Sequence, residues 1–100
     1  MNHGLSDETV QRMAAVFSHY PEIEKAMLYG SRAKGNFRNG SDIDLTLVGE
    51  KLDSKILGRI AWELDDLLLP YKIDLSIFHQ LTHPELIEHI RRVGMVFYQR

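Results

Sequence analysis

Apolar residues along the chain alternate between two spacings, and each change of spacing marks an element. Val10, Met13, Ala14 and Phe17 recur at helical spacing after Ser6, a capping residue followed by Asp7 and Glu8 in the first turn. Pro21 marks the exit from that helix. Lys25 to Tyr29 reads as a short strand that stops at Gly30. Residues 31–41 carry Gly35, Asn36, Asn39, Gly40 and Ser41, which predicts a loop that opens with a helical turn. Ile43 to Val48 then alternates with period two and predicts a strand.

Asp53 or Ser54 caps the next helix. Its apolar face is formed by Ile56, Ile60, Leu64 and Leu67 together with Leu57, Ala61 and Leu68. Pro70 closes it, and Lys72 to Phe78 is a further strand. Thr82-His83-Pro84-Glu85 starts a last helix, with Pro at an early position and Glu85 placed to complete a capping box. Leu86, Ile87 and Ile90 face the core, Gly94 ends the helix, and Met95 to Tyr98 forms a final short strand. The order α-β-loop-β-α-β-α-β predicts an α/β (α+β) domain over residues 1–100: a small mixed sheet with helices packed mainly on one face.

Two of the strands share a pattern. In Asp42-Ile-Asp-Leu-Thr-Leu-Val, the residues Asp42, Asp44 and Thr46 take one face and Ile43, Leu45 and Leu47 the other. In Lys72-Ile-Asp-Leu-Ser-Ile-Phe, Lys72, Asp74 and Ser76 oppose Ile73, Leu75 and Ile77. Asp42 and Asp44 therefore lie roughly 6.5–7 Å apart at their Cα atoms on one face. If the two strands are neighbours, Asp74 comes near that pair. Aspartate is disfavoured in strands, and clustered carboxylates repel one another. A bound divalent cation offsets both costs, and the alternative is a solvated polar strand face with incidental acids.

Upstream, Gly30-Ser31 ends a strand. Glycine lets the backbone approach a phosphate, and the Ser hydroxyl and nearby N–H groups can donate to it. The plain alternative is a turn in which Ser caps a helix. Arg32 and Lys34 follow at once, either as cations that neutralise triphosphate charge or as ordinary surface cations. A phosphate cradle beside an acid pair is equipment for chemistry on a nucleoside triphosphate.

Composition narrows the field further. One hundred residues make one small domain. A formal charge of −2 gives no general attraction to nucleic acid, so direct nucleic-acid binding is not expected. The absence of cysteine removes disulfides and thiolate metal sites. No signal peptide is visible, and the apolar stretch around Leu67-Leu68-Leu69 is too short to span a bilayer. The expected setting is soluble and cytoplasmic, without membrane attachment. His3, His19, His79, His83 and His89 read as surface or capping residues rather than a zinc site. Tyr29 reads as an aromatic at a strand end or as a neighbour of the nucleotide. Trp62 reads as packing on its helix flank or as part of a partner surface. Arg91-Arg92 complements a helix dipole, and the segment from Met95 to Tyr98 reads as an edge strand able to pair with another chain.

Gly30-Ser31-Arg32-Ala33-Lys34-Gly35 followed by Ser41-Asp42-Ile43-Asp44-Leu45 resembles the signature of nucleotidyltransferases related to DNA polymerase beta. The ten residues between Ser31 and Asp42 resemble the minimal nucleotidyltransferase (MNT) group, and Asp74 in Lys-Ile-Asp-Leu occupies the place of that family's third acid. The resemblance implies a Mg²⁺-dependent reaction, with two ions, in which a hydroxyl attacks the α-phosphate of ATP and pyrophosphate leaves. It implies that Asp42, Asp44 and Asp74 bind metal, with Asp74 alternatively helping to deprotonate the acceptor. It implies that Gly30, Ser31, Arg32 and Lys34 hold the phosphates. It further implies an antitoxin that adds AMP to a tyrosine of a HEPN-domain RNase toxin, in a homo- or hetero-oligomer. One hundred residues leave no room for an acceptor-binding domain, so the acceptor is expected to be small or to be presented by another protein. An aminoglycoside-like small acceptor and a non-catalytic antitoxin that acts by binding alone are the alternatives.

Overall fold

The computed structural model describes residues 3–100. The first helix, α1 (Asp7–Ser18), is capped by the Ser6 hydroxyl, which accepts from the Thr9 amide at 3.1 Å. It leads to β1 (Lys25–Tyr29), the five-residue helix α2 (Gly30–Lys34) and β2 (Ile43–Val48). Next come α3 (Ser54–Asp65), capped by Asp53, and β3 (Ile73–Ile77). A 3₁₀ turn over Phe78–Gln80 connects β3 to α4 (Pro84–Val93), and β4 (Met95–Gln99) closes the chain.

The four strands form one mixed sheet in the order β3-β2-β1-β4. β1 pairs antiparallel with β2 and with β4, and β2 pairs parallel with β3. The parallel pair needs a crossover, and α3 supplies it. Ile43, Leu45 and Leu47 of β2 and Ala26 and Leu28 of β1 are buried against Met13, Val16 and Phe17 of α1 and Ile60 and Leu64 of α3. Period-two alternation thus sends one face of the central strands into the core and leaves the other to present Asp44 and Thr46.

Several expectations change in detail. The strand predicted over 72–78 ends at Ile77, because Phe78 opens the 3₁₀ turn. His83, not Thr82, caps α4: its Nδ1 accepts from the Leu86 amide at 3.3 Å, so Glu85 does not close a capping box. Of the broad apolar face read on α3, only Ile60 and Leu64 are buried, while Ala61 is exposed. Leu68 is 87% exposed at φ 56°, where the chain leaves the helix. Trp62 does not pack on the flank, being 78% exposed. α4 does not join the layer of α1 and α3. Ile90 and the backbone of Gly94 meet the Met27 side of β1, opposite the main core. Ile90 is buried there, while Leu86 and Ile87 are only half-buried. On the α4 side of the sheet Thr46 is buried, Asp44 and Ser76 are half-buried, and Asp74 on the edge strand is exposed.

Candidate active site

The register of the parallel ladder sets Asp44 directly beside Asp74, one step along from the Ile43–Ile73 pair. On the other side, Tyr29 is the antiparallel partner of Asp44. Asp42 is exposed at the entry to β2, and Asp74 is exposed on the edge strand β3. Behind them Ser76 donates to the Thr46 hydroxyl at 2.9 Å, which ties the same two strands on the same face.

The acids act on one another. Burial raises the Asp44 carboxyl above the ordinary carboxylate range, and the negative charges of Asp74 and Asp42 add to it, with His89 pulling the other way. Burial also raises the Tyr29 phenol, and Asp74 and Asp44 push in the same direction. Among the described residues the ion pairs lie elsewhere, between His19 and Glu63 and between Arg92 and Glu88, and none involves Asp42, Asp44 or Asp74. Among the described residues no three His, Cys, Asp or Glu side chains come together as a metal cluster. The expected three-carboxylate cluster of Asp42, Asp44 and Asp74 is therefore not gathered into a preformed cage; Mg²⁺ is usually held by one or two carboxylates together with substrate phosphates. The donors are hard carboxylate oxygens, with Asp44 partly desolvated, and oxygen donors of this kind suit that ion.

The Gly-Ser turn sits against the same carboxylate. Gly30 has φ 74°, in the left-handed region that glycine tolerates, and a Cβ built on it would fall on Asp44 Oδ2. Both constraints require glycine. Gly30→Ala is expected to cost about 1 kcal/mol from backbone strain alone. It also displaces the Asp44 carboxylate, so transfer activity should fall by roughly 10²-fold with the fold retained. Circular dichroism and a transfer assay on the same preparation check this. Wild-type activity in the alanine variant would refute the close approach.

The structure separates the two cations that follow. Lys34 is exposed at the end of α2, free to reach a phosphate. Arg32 is 2% exposed and committed inside the chain. Its Nε and Nη2 donate to the Ser41 carbonyl at 3.1 and 2.9 Å, and its Nη1 donates to the His3 carbonyl at 2.9 Å. Its guanidinium carbon lies 5.1 Å from the Phe37 ring centroid and 4.9 Å from that of Tyr71. Arg32 thus closes the 35–41 loop back onto α2 and fixes the peptide just before Asp42, a placement away from the phosphate-neutralising one expected for it.

One neighbour of the site escaped the sequence. His89 of α4 is half-buried, its Nε2 accepts from the Gly30 amide at 3.1 Å, and its ring meets Tyr29 edge-on at 6.2 Å. The only sequence signal was its place in a helix with few apolar positions.

A positive-φ glycine thus lies against the carboxylate of Asp44, which is paired with Asp74 on the adjacent strand. The family model described as "Polymerase beta, Nucleotidyltransferase" matches residues 11–100, and the chain belongs to that nucleotidyltransferase family. A solved structure described as a toxin-antitoxin with AMP-PNP superposes at TM-score 0.72 with 20% identity, covering 96% of this chain and 75% of that one. A tri-AMPylated Shewanella oneidensis HEPN toxin in complex with MNT antitoxin gives TM-score 0.70 with 16% identity over 96% of this chain and 74% of that one. These likenesses show a common fold. A 43-residue stretch is 42% identical to the DNA mismatch repair protein MutL of Bacillus anthracis, covering 43% of this chain and 7% of that protein. The same figures hold for Bacillus cereus (strain B4264). So short an overlap carries no claim about mismatch repair. Among the described residues no helix is long and apolar enough to cross a membrane.

Proposed function

We propose that this nucleotidyltransferase transfers AMP from ATP, with Mg²⁺, to a tyrosine hydroxyl of a HEPN-domain toxin, and so acts as an MNT antitoxin of the MntA type. The observation that carries this reading is the side-by-side register of Asp44 and Asp74, with Asp42 adding its charge, beside the Gly30-Ser31 turn. The two structural neighbours that pair an MNT-like fold with a toxin support the choice of acceptor.

Asp42, Asp44 and Asp74 would hold Mg²⁺, which when bound offsets charge developing on the phosphates and lowers the barrier to in-line displacement. The chain's own residues do the rest. The Ser31 hydroxyl donates to an outgoing phosphate oxygen, and Lys34 balances its charge from the rim. Asp74, exposed on the edge strand, takes the proton of the attacking hydroxyl. The acceptor oxygen forms a bond to the α-phosphorus while the bond from that phosphorus to the bridging oxygen breaks. AMP stays on the acceptor and pyrophosphate departs. The exposure of Asp74 on the edge strand gives a protein side chain room to approach it.

The test mixes the protein with ATP, Mg²⁺ and the HEPN-type product of the adjacent gene, with intact-mass detection. The expected result is a gain of one or more AMP units on the toxin, absent with Asp42→Ala. Pyrophosphate release driven by a small hydroxyl compound without any toxin would move the acceptor to a small molecule. Protection of cells from the toxin by Asp44→Ala would indicate neutralisation by contact alone.

A further inference from the structure

The nucleotidyl-transfer site as read from its acids and its Gly-Ser turn leaves one feature unused: the imidazole of His89 against the backbone of Gly30. Gly30 is held at two atoms. Its amide N–H is bonded to His89 Nε2, 59 residues away, and its bare Cα lies against the Asp44 carboxylate. The first contact therefore fixes how far the second reaches. It also means that the Gly30 N–H is engaged within the fold. Phosphate binding at this turn falls to the Ser31 hydroxyl and to Lys34, and the contribution of Gly30 is its backbone conformation.

His89 is itself held firmly. Its neighbour Ile90 is buried in the seam between α4 and β1, and α4 also packs against α2. The ring meets Tyr29 edge-on, and Tyr29 is the cross-strand partner of Asp44. Acceptance at Nε2 places the proton of the neutral ring on Nδ1, away from Gly30. The imidazole is thus a rigid spacer between α4 and the start of α2. Its contacts with Gly30 and Tyr29 are both made within the fold.

We propose that His89 is a positioning residue for nucleotidyl transfer, holding the Gly30-Ser31 turn at a fixed offset from the Asp44–Asp74 pair. This rests on the reading of that site as a nucleotidyltransferase centre. A residue that only filled space would be replaceable by an apolar side chain of similar size. A residue that acts through its acceptor nitrogen would not be, but would be replaceable by another acceptor.

The experiment compares wild type, His89→Leu and His89→Gln with three readouts. The first is the Gly30 amide proton by NMR, its chemical shift and its exchange rate in ligand-free protein. The second is calorimetric affinity for Mg²⁺ with AMP-PNP. The third is AMP transfer to the toxin, with kcat and the KM for ATP separated. His89→Leu is expected to remain folded, to lose protection of the Gly30 amide, to weaken nucleotide binding about five-fold and to lower kcat/KM by at least about 10-fold. His89→Gln is expected to restore the Gly30 protection and to recover binding and transfer to within about three-fold of wild type. Unchanged binding and transfer in His89→Leu would overturn the inference. So would equal loss in both variants while the glutamine variant protects Gly30. If wild type binds nucleotide with this dependence on His89 and modifies no acceptor, the reading of the reaction falls and the positioning of the nucleotide stands. If wild type binds no nucleotide, both fall.

Discussion

Replacing Asp44 with Asn is expected to abolish nucleotidyl transfer while raising the thermal stability of the metal-free protein. The two effects have one cause. Asp44 is partly desolvated and faces the charges of Asp74 and Asp42, so its carboxyl titrates above its ordinary 3.8. A raised carboxyl value means that the folded state binds the proton more tightly than the unfolded chain does. The contribution to stability is fully present below the unfolded value and is lost as pH climbs through the folded one. Near neutral pH the ionised Asp44 is then a net cost to the fold. Asn keeps the shape and removes the charge.

Solvent reaches much of this carboxylate, so the relief is small, about 0.5 kcal/mol after screening. In a domain of this size that is roughly 2–4 °C in Tm. Thermal melts without metal at about pH 7 should show the Asn variant melting higher, and the gap should close as pH falls below the ordinary 3.8, where Asp44 becomes protonated in both states. Mg²⁺ should raise the melting temperature of wild type and leave the variant nearly unmoved, because a ligand stabilises only the state that binds it. Transfer should drop by at least about 10³-fold. A variant that melts lower, or that retains transfer, would contradict the role given to this residue.

Arg32→Ala is expected to have the largest effect on the fold. The guanidinium is buried, satisfies the carbonyls of Ser41 and His3 and lies against the rings of Phe37 and Tyr71. Its removal leaves those carbonyls without their donor and opens a void between the rings. Together these cost about 3–4 kcal/mol, a large share of the stability of any small domain. Arg32→Lys should recover little, since an ammonium cannot reproduce the planar fork that donates twice to Ser41. Urea unfolding monitored by far-UV circular dichroism measures the loss. A midpoint within error of wild type for the alanine variant would show that the guanidinium network contributes nothing.

The contrast between Asp44 and Arg32 shows what the sequence could reveal. Period-two alternation alone put Asp44 and Thr46 on the face opposite Ile43, Leu45 and Leu47. The repeated pattern around Asp74 made a neighbouring strand the natural partner, and the parallel register bears that out. Both inferences rest on local geometry. Arg32 follows Gly30-Ser31 and precedes a stretch rich in glycine and asparagine, a sequence setting in which a cation reads as surface. Its burial depends on Phe37, Tyr71 and the carbonyl of His3, which only the folded chain brings together. His89 was hidden for the same reason: nothing in its helix specifies which side of the sheet the helix will cover. Trp62 misled in the other direction, because an aromatic next to an apolar ridge carries no mark of which way it points. What depended on a single element's period was legible. What depended on the packing of distant elements was not.

The parallel β2–β3 ladder has a consequence for how activity arises during folding. Asp44 meets Asp74 only after a 30-residue crossover closes, and Gly30 meets His89 across 59 residues. Contacts of such long sequence separation form late, because chain entropy is lost before they return any stabilisation. The antiparallel β1–β2 pair brings Gly30 to Asp44, but it lacks both Asp74 and His89. Catalytic competence should therefore appear in a single step with the last tertiary contacts, so that partly folded molecules are silent.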